Sequence, residues 1–394
     1  MLAGVGLCAT LIHMETLTRC WHGLYSALHR GRRWSGWLLA GALCVQCAAA
    51  QSVTFINPGK SDEAYWVASA QAMQRAADDL GMQLDIIYTQ RDRLRPIVEA
   101  QRIAALPAAK RPDYVVFSNE YSVAPSMLEA LKDSGIQVFM AFSGVQGVQR
   151  EKTGGPREHY PLWLGSMIPN AEEAGYLTAQ AVIAAARSRG AMDVGSGKLH
   201  MLAIAGDRST PSSIARNAGM RKAVAQSSDV VLEQEVYGEW SRDKAFGQAS
   251  VLFQRYPQAR VVWAGNDLMA FGAMQAWKQR GGEPGQDAFF SGINTSEEAF
   301  NAVREGRLSA LAGGHFLAGA WAMVMLFDHS RGIDFVQEGL ELQRPMFMLL
   351  DPPRLDIFEA SFGVQGRALN FRQFSKYHNK KLRHYDFDMK HLLR

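Results

Sequence analysis

From residue 52 onward the chain alternates between two hydrophobic periods. Val53-Thr-Phe-Ile-Asn57 is a short β-branched and aromatic run closed by Pro58-Gly59, which predicts a strand. Residues 65–80 place apolar side chains at helical spacing and stop at Gly81, which predicts a helix. The alternation continues with strands at 84–88, 114–117 and 136–142 and helices at 93–106 and 126–132. Pro96 is tolerated in the first turn of its helix. A stretch at 145–166, rich in Gly and Pro, breaks the pattern. It then resumes with helices at 170–188, 213–226, 242–255, 268–279 and 297–305 and strands at 199–205, 230–236, 260–264 and 288–292. The strands are apolar on both faces, as in a buried parallel sheet. Repeated β-α-β units of this kind predict two successive doubly wound α/β lobes with right-handed crossovers. Ligands of open parallel sheets bind beyond the carboxyl ends of the strands, and two facing lobes would close on a ligand about a hinge.

The first fifty residues read differently. Arg30, Arg32 and Arg33 precede a short apolar run from Trp34, and Ala48-Ala49-Ala50 follows it. This is the order of a secretory signal peptide, with cleavage expected after Ala50 and Met14 an alternative start to Met1. A membrane anchor would need about 20 apolar residues. All four cysteines (Cys8, Cys20, Cys44 and Cys47) lie in this segment. The mature chain is therefore expected to hold no disulfide, thiol nucleophile or Cys–metal site, which suits an oxidising compartment.

Composition adds limits. With 394 residues, 47% of them hydrophobic and 20% charged, the chain is globular and long enough for two lobes. The net charge of +4 is too small to argue for nucleic acid, and it is unevenly placed. The first fifty residues carry four basic against one acidic side chain and the last thirty carry eight against two, so the stretch between them is mildly acidic. The basic tail, 365–394, lies outside the two lobes. A solvated tail, packing back on the body, or contact with an anionic partner are all open to it, and its removal is expected to leave ligand affinity intact.

The strand ends supply the candidate chemistry. They carry Asn57, Lys60, Asp62, Glu63, Tyr65 and Trp66, then Ser118-Asn119-Glu120 and Ser143, then Asp207 to Ser213, Glu239-Trp240, Asn266-Asp267 and Asn294. There is no Ser/His/Asp order, no paired His ligands and no phosphate-cradling glycine loop. Planar Asn, Asp and Arg groups suit hydroxyls, and aromatic faces suit the C–H face of a sugar. Each residue also has a plainer role open to it. One of Tyr65 and Trp66 could be core, Asn266 or Asp267 a helix cap, Arg216 a surface charge and His315 structural.

Specific segments resemble a known family. Ala264-Gly-Asn-Asp-Leu-Met-Ala-Phe-Gly-Ala-Met-Gln-Ala276 resembles the Asn-Asp-x-x-Ala-x-Gly-Ala-x-x-Ala segment of type I periplasmic binding proteins, in the ribose/galactose-binding branch. Ser213 to Met220, Ser291-Gly-Ile-Asn294, Arg304 to Ala310, Glu63-Ala-Tyr-Trp66 and Glu239-Trp240-Ser-Arg resemble further segments of it. The resemblance implies two Rossmann-like lobes, one of 51–165 plus about 314–345 and the other of 166–313 plus about 346–364. It implies that Arg216 and Asn266 bond ligand hydroxyls and that Tyr65, Trp66 and Trp240 sandwich the ligand, with Glu63, Ser143, Asn294 and His315 also at the site. Asn294 stands where the family usually has Asp, Ala141-Phe142-Ser143 lacks the usual Asp-Arg, and Gly313-Gly314 replaces a usual Gln. These departures imply a ligand poorer in hydroxyls than ribose or galactose, or a different pose. The expected protein is a non-enzymatic, periplasmic, monomeric solute-binding protein with no cofactor, no metal and no nucleic-acid partner. Its partner would be an ABC permease, or alternatively a membrane sensor as for autoinducer-2 receptors; an α/β enzyme is a remote alternative.

Overall fold

The computed structural model describes residues 50–362 and 369–392. All four cysteines and the expected signal peptide up to residue 49 fall outside them. No described helix is long and apolar enough to cross a membrane.

The first lobe runs β1 (Ser52–Asn57), α1 (Ala64–Leu80), β2 (Gln83–Tyr88), α2 (Arg95–Ala104), β3 (Tyr114–Phe117), α3 (Ala124–Leu131), β4 (Gln137–Ala141), α4 (Val148–Thr153) and β5 (Trp163–Pro169). The second runs α5 (Ala171–Ser188), β6 (Leu199–Ala205), α6 (Pro211–Ala225), β7 (Val230–Tyr237), α7 (Arg242–Arg255), β8 (Val261–Ala264), α8 (Asp267–Gln279), β9 (Phe289–Ile293), α9 (Glu297–Arg304) and β10 (Ala310–Gly313). The chain then re-enters the first lobe with α10 (Ala318–Ser330) and β11 (Glu341–Arg344), and returns to the second with β12 (Met348–Leu349) and α11 (Pro352–Phe362). Each lobe has one six-stranded sheet, ordered β11-β5-β4-β3-β1-β2 and β12-β10-β9-β8-β6-β7. Every pair is parallel except β10 with β12.

Among the described residues the chain crosses between the lobes three times: between β5 and α5, between β10 and α10, and between β11 and β12. The expected break at 145–166 instead contains α4 and the start of β5, so the chain first leaves the lower-numbered sheet at Asn170 rather than at 165. Gly147, Gly154, Gly155, Pro156 and Pro161 give the stretch the look of a loop in sequence. Asn170 marks the change, because its side chain accepts the N–H of Glu173 and caps α5.

The tail does not hang free. Helix α10 is apolar around almost its whole circumference and is buried from Ala318 to Asp328. A helix of that kind has to be covered on every side. Helix α1 and strands β4 and β5 cover part of it, and residues 371–389 cover more. Trp321 is packed by Phe371, Phe374 and Phe387, with ring centroids 5.5, 4.8 and 4.7 Å away. At the end of the helix the buried Asp328 carboxylate accepts from Ser375 Oγ (2.5 Å), Lys376 N (2.7 Å), Tyr377 N (3.2 Å) and Tyr385 Oη (2.9 Å). The cations Arg372, Lys380, Lys381 and Arg383 stay exposed. What reads as a basic extension is a strap whose aromatic residues complete the first lobe's core.

Candidate functional site

Eight of the nine residues expected at the site line one cavity between the lobes: Glu63, Tyr65, Trp66, Arg216, Trp240, Asn266, Asn294 and His315. Ser143 does not. Phe142 adopts φ +69°, which turns its own ring into the chamber. The Ser143 N–H bonds back to the Ala141 carbonyl (2.8 Å), and its side chain lines a neighbouring pocket with Gln146 and Pro211.

The backbone around the cleft is unusual. Of the nine described non-glycine residues with positive φ, eight follow strand ends facing the cleft: Gln90, Arg91, Tyr121, Ser122, Phe142, Glu239, Trp240 and Asn294. Such conformations cost about 1–3 kcal/mol each and persist where the surroundings over-determine them, typically at ligand sites. Some of the surroundings are visible. The Trp240 indole lies flat enough on Gly206 that a Cβ there would come within 2.3 Å of it. Its Nε1 donates to Asp207 Oδ2 at 2.8 Å. Burial alone would raise the Asp207 pKa, yet hydrogen bonds from Thr210 and Ser209 hold it below the ordinary value.

The second lobe supplies the hydrogen-bonding groups. Arg216 is carried on α6, which packs so closely on α5 that a Cβ at Gly175 would sit 1.9 Å from the Arg216 carbonyl. The side chain is buried, and burial lowers its pKa from the usual arginine value. Nη1 donates to the Gly265 carbonyl (2.7 Å) and Nη2 to His315 Nε2 (3.1 Å), while Nε has no protein partner. Since a guanidinium only donates, His315 Nε2 must accept, and the ring proton sits on Nδ1. Nδ1 has no partner either. Burial first, and then Arg216, push the His315 pKa well down, so the ring is neutral. Asn266 Oδ1 accepts the Met269 N–H (2.9 Å) and caps α8, which leaves its amide N–H groups for the chamber. Asn294 gives Nδ2 to Asp267 Oδ1 (2.8 Å) and keeps Oδ1 as an acceptor. Asp267, raised in pKa chiefly by burial, is also held by Ser296 Oγ (2.6 Å).

The first lobe supplies the rings of Tyr65, Trp66 and Phe142. Trp66 packs edge-on against Phe142 (5.2 Å) and Tyr65 (4.9 Å), and Tyr65 stacks on His315 (4.5 Å, 22°). His315 stacks in turn on Phe347 (4.4 Å), from the β11–β12 crossing. One face of Tyr65 is stacked on His315, and the two indoles of Trp66 and Trp240 flank a guanidinium.

That guanidinium is Arg91, which the sequence reading missed although it follows strand β2. The carboxyl-end rule that selected the other residues applies to this strand as well. Arg91 Nε donates to Glu63 (2.9 Å), Nη2 also donates to Glu63, and Nη1 reaches Glu120 at 3.3 Å. Its Cζ lies 5.8 Å from the Trp66 ring and 5.9 Å from the Trp240 ring. Burial would lower its pKa, but Glu63 outweighs this and keeps it charged. Burial raises the Glu120 carboxyl to about 7 despite Arg91. Phe347, also missed, sits on a crossing too short to show a period.

The cleft is shut around this chamber. Tyr121 N–H donates to Thr210 Oγ1 (3.0 Å), Ser122 Oγ to the Ser209 carbonyl (2.8 Å), and Gln146 Nε2 to the Pro211 carbonyl (3.1 Å). Arg93 pairs with Glu239 at 3.0 Å. Two α/β lobes, three crossings and an aromatic, hydrogen-bonding chamber at the strand ends define a two-lobed solute-binding protein.

The comparisons agree. The family model described as a periplasmic binding protein domain matches residues 53–334. A periplasmic sugar-binding protein from Pseudomonas fluorescens is 37% identical, with TM-score 0.77 over 87% of this chain and 100% of that one. The fold is shared by a galactofuranose-binding protein (17% identity, TM-score 0.64, 78% and 96% covered). It is shared as well by an ABC transporter periplasmic solute-binding protein from Actinobacillus succinogenes with bound D-allose (15%, 0.65, 78% and 99%). No curated relative matches. The chain belongs to the periplasmic binding protein family.

Proposed function

We propose that the protein captures a small sugar-like ligand in the periplasm, after export and cleavage following Ala50, and delivers it as a monomer to an ABC importer. The observation that carries the reading is the pairing of Arg216 and Asn266 from one lobe with the Tyr65–Trp66 face of the other across a shut chamber. In this reading Arg216 and the Asn266 amide donate to ligand hydroxyls, Asn294 Oδ1 accepts from one, and Tyr65, Trp66 and Trp240 cover apolar ring faces. Six aromatic rings against few free acceptors favour a ligand with modest hydroxyl content. The carboxylates support binding rather than turnover: Glu63 and Glu120 are engaged by Arg91, Asp207 by Trp240 and the following turn, and Asp267 by Asn294 and Ser296. The sugar-binding relative at 37% identity supports the ligand class.

The test is a thermal-shift screen of the chain from Gln51 against pentoses, hexoses, polyols, nucleosides and amino acids. A ligand at a thousand times its Kd adds about 4 kcal/mol of stability. A sugar or polyol that raises Tm supports the reading. Stabilisation by an amino acid or nucleoside alone, with every sugar silent, overturns it.

A further inference from the structure

The chamber is not the whole cleft. A second, larger cavity opens outside it, lined from both lobes by Lys60, Asp62, Arg93, Arg242, Asp243 and Glu298, among others. The two cavities share only Glu63, Tyr65, Arg91, Trp240 and Asn294, so these residues form the wall between them. In that wall Arg91 is the part with two sides. Its guanidinium is gripped by Glu63 and Glu120 from its own lobe and lies within cation–π range of Trp66 from that lobe and Trp240 from the other. Closing the lobes therefore lays Trp240 over a group already held in place. The loop that carries it is itself constrained, with Gln90 and Arg91 both at positive φ and the N–H groups of Gln90 and Arg91 bonded to the carbonyls of Gly59 and Pro58.

We propose that Arg91 is a specificity-determining residue that walls the inner chamber from the outer vestibule and limits the ligand to a single sugar ring. This rests on the sugar-binding reading. A substituent leaving the ring toward the cleft mouth meets a guanidinium that is fixed by two carboxylates and two indoles rather than water. Displacing it would strip Glu63 and Glu120 of their buried counter-charge. Beyond the wall the vestibule carries charges of both signs and could hydrate a second ring, so Arg91, not the space outside it, sets the limit.

The experiment is calorimetric titration of the wild-type chain and Arg91→Ala with D-ribose, L-arabinose, D-galactose and D-glucose and with the disaccharides lactose, maltose and sucrose. Arg91→Ala leaves two buried carboxylates exposed to each other, so Arg91→Ala/Glu120→Gln is run beside it and both are melted to establish folding. Wild type is expected to bind a monosaccharide and to discriminate against its disaccharide at least a hundredfold. A folded Arg91 variant is expected to narrow that ratio tenfold or more by gaining disaccharide affinity. An unchanged ratio in a folded variant overturns the proposal alone, as does wild-type protein that already binds the disaccharide equally well. Wild-type silence toward every sugar in the panel overturns the sugar reading and this proposal with it.

Discussion

The Asp328 node offers a sharp test of the strap. Asp328→Asn keeps the size of the side chain and removes one acceptor oxygen. Each carboxylate oxygen now serves one hydroxyl and one backbone N–H: Oδ1 takes Ser375 Oγ and Tyr377 N, and Oδ2 takes Lys376 N and Tyr385 Oη. The hydroxyls can rotate and accept, but the backbone N–H groups cannot. Whichever way the amide is turned, its NH2 faces a fixed donor. One charge-assisted bond worth about 1.5–3 kcal/mol is lost, and a buried N–H left unpaired costs about 1–3 kcal/mol more. The sum is roughly 2.5–6 kcal/mol. At about 2–4 °C per kcal/mol or somewhat less for a chain of this length, Tm should fall by several degrees. Trypsin supplies a local readout, because Lys380, Lys381 and Arg383 lie in the strap and are exposed as side chains while their backbone is held. The variant should be clipped there faster than wild type under native conditions. A Tm within a degree of wild type, with unchanged clipping, would refute the claim that this carboxylate ties the strap down.

Three further outcomes follow. Arg216→Ala should weaken ligand binding by about 1.5–3 kcal/mol, the range for a hydrogen bond to a charged group, when measured by titration calorimetry; unchanged affinity removes Arg216 from the site. Trp240→Phe keeps a ring but strands Asp207 Oδ2, so it should weaken binding and diminish the ligand-induced fluorescence change, and an unaltered signal would place the reporting indole elsewhere. Glu120 titrates near 7 when folded against 4.5 when free, so the folded state holds the extra proton between those values. Stability should therefore fall as pH rises through that window, by at most about 1.4 kcal/mol per pH unit, and the fall should be absent in Glu120→Gln. The depressed His315 acts oppositely, losing stability as pH drops below its free value, which is why the comparison is made between wild type and variant at each pH.

Most of the lobes was legible because buried parallel strands are apolar throughout and helices between them stop at glycines such as Gly81. The strand-end rule, with the family resemblance adding Arg216 and His315, then brought eight candidate residues to one chamber. The failures share a physical cause: they depend on contacts far apart in sequence. Strand β5 carries Gly165 and Pro169, turn residues in any local reading, and is a strand only because β4 and β11 flank it. The tail's Phe371, Phe374 and Phe387 are spaced irregularly, because they follow the surface of α10 and not a period of their own. Arg91 looks like one more loop cation until Glu63, Glu120 and two indoles are placed around it. Ser143 failed for a local reason, since the positive φ of Phe142 exchanges which of the two neighbours points inward.

The strap and the chamber are connected through the crossings. The Met389 side chain lies against Gly314, on the β10–α10 crossing, next to the Met346 carbonyl on the β11–β12 crossing. One residue beyond each of these stand His315 and Phe347, stacked on each other and facing the chamber. A hinge motion must turn about these crossings, because the sheets on either side are each tied by continuous strand pairing. The strap thus packs on the first lobe and, through Met389, reaches the pivot as well. An element bound to the pivot acts on the balance between open and closed forms, and through it on apparent affinity, even though it touches no ligand. Removal of the strap should therefore change affinity, contrary to the expectation from sequence that residues beyond the lobes are dispensable.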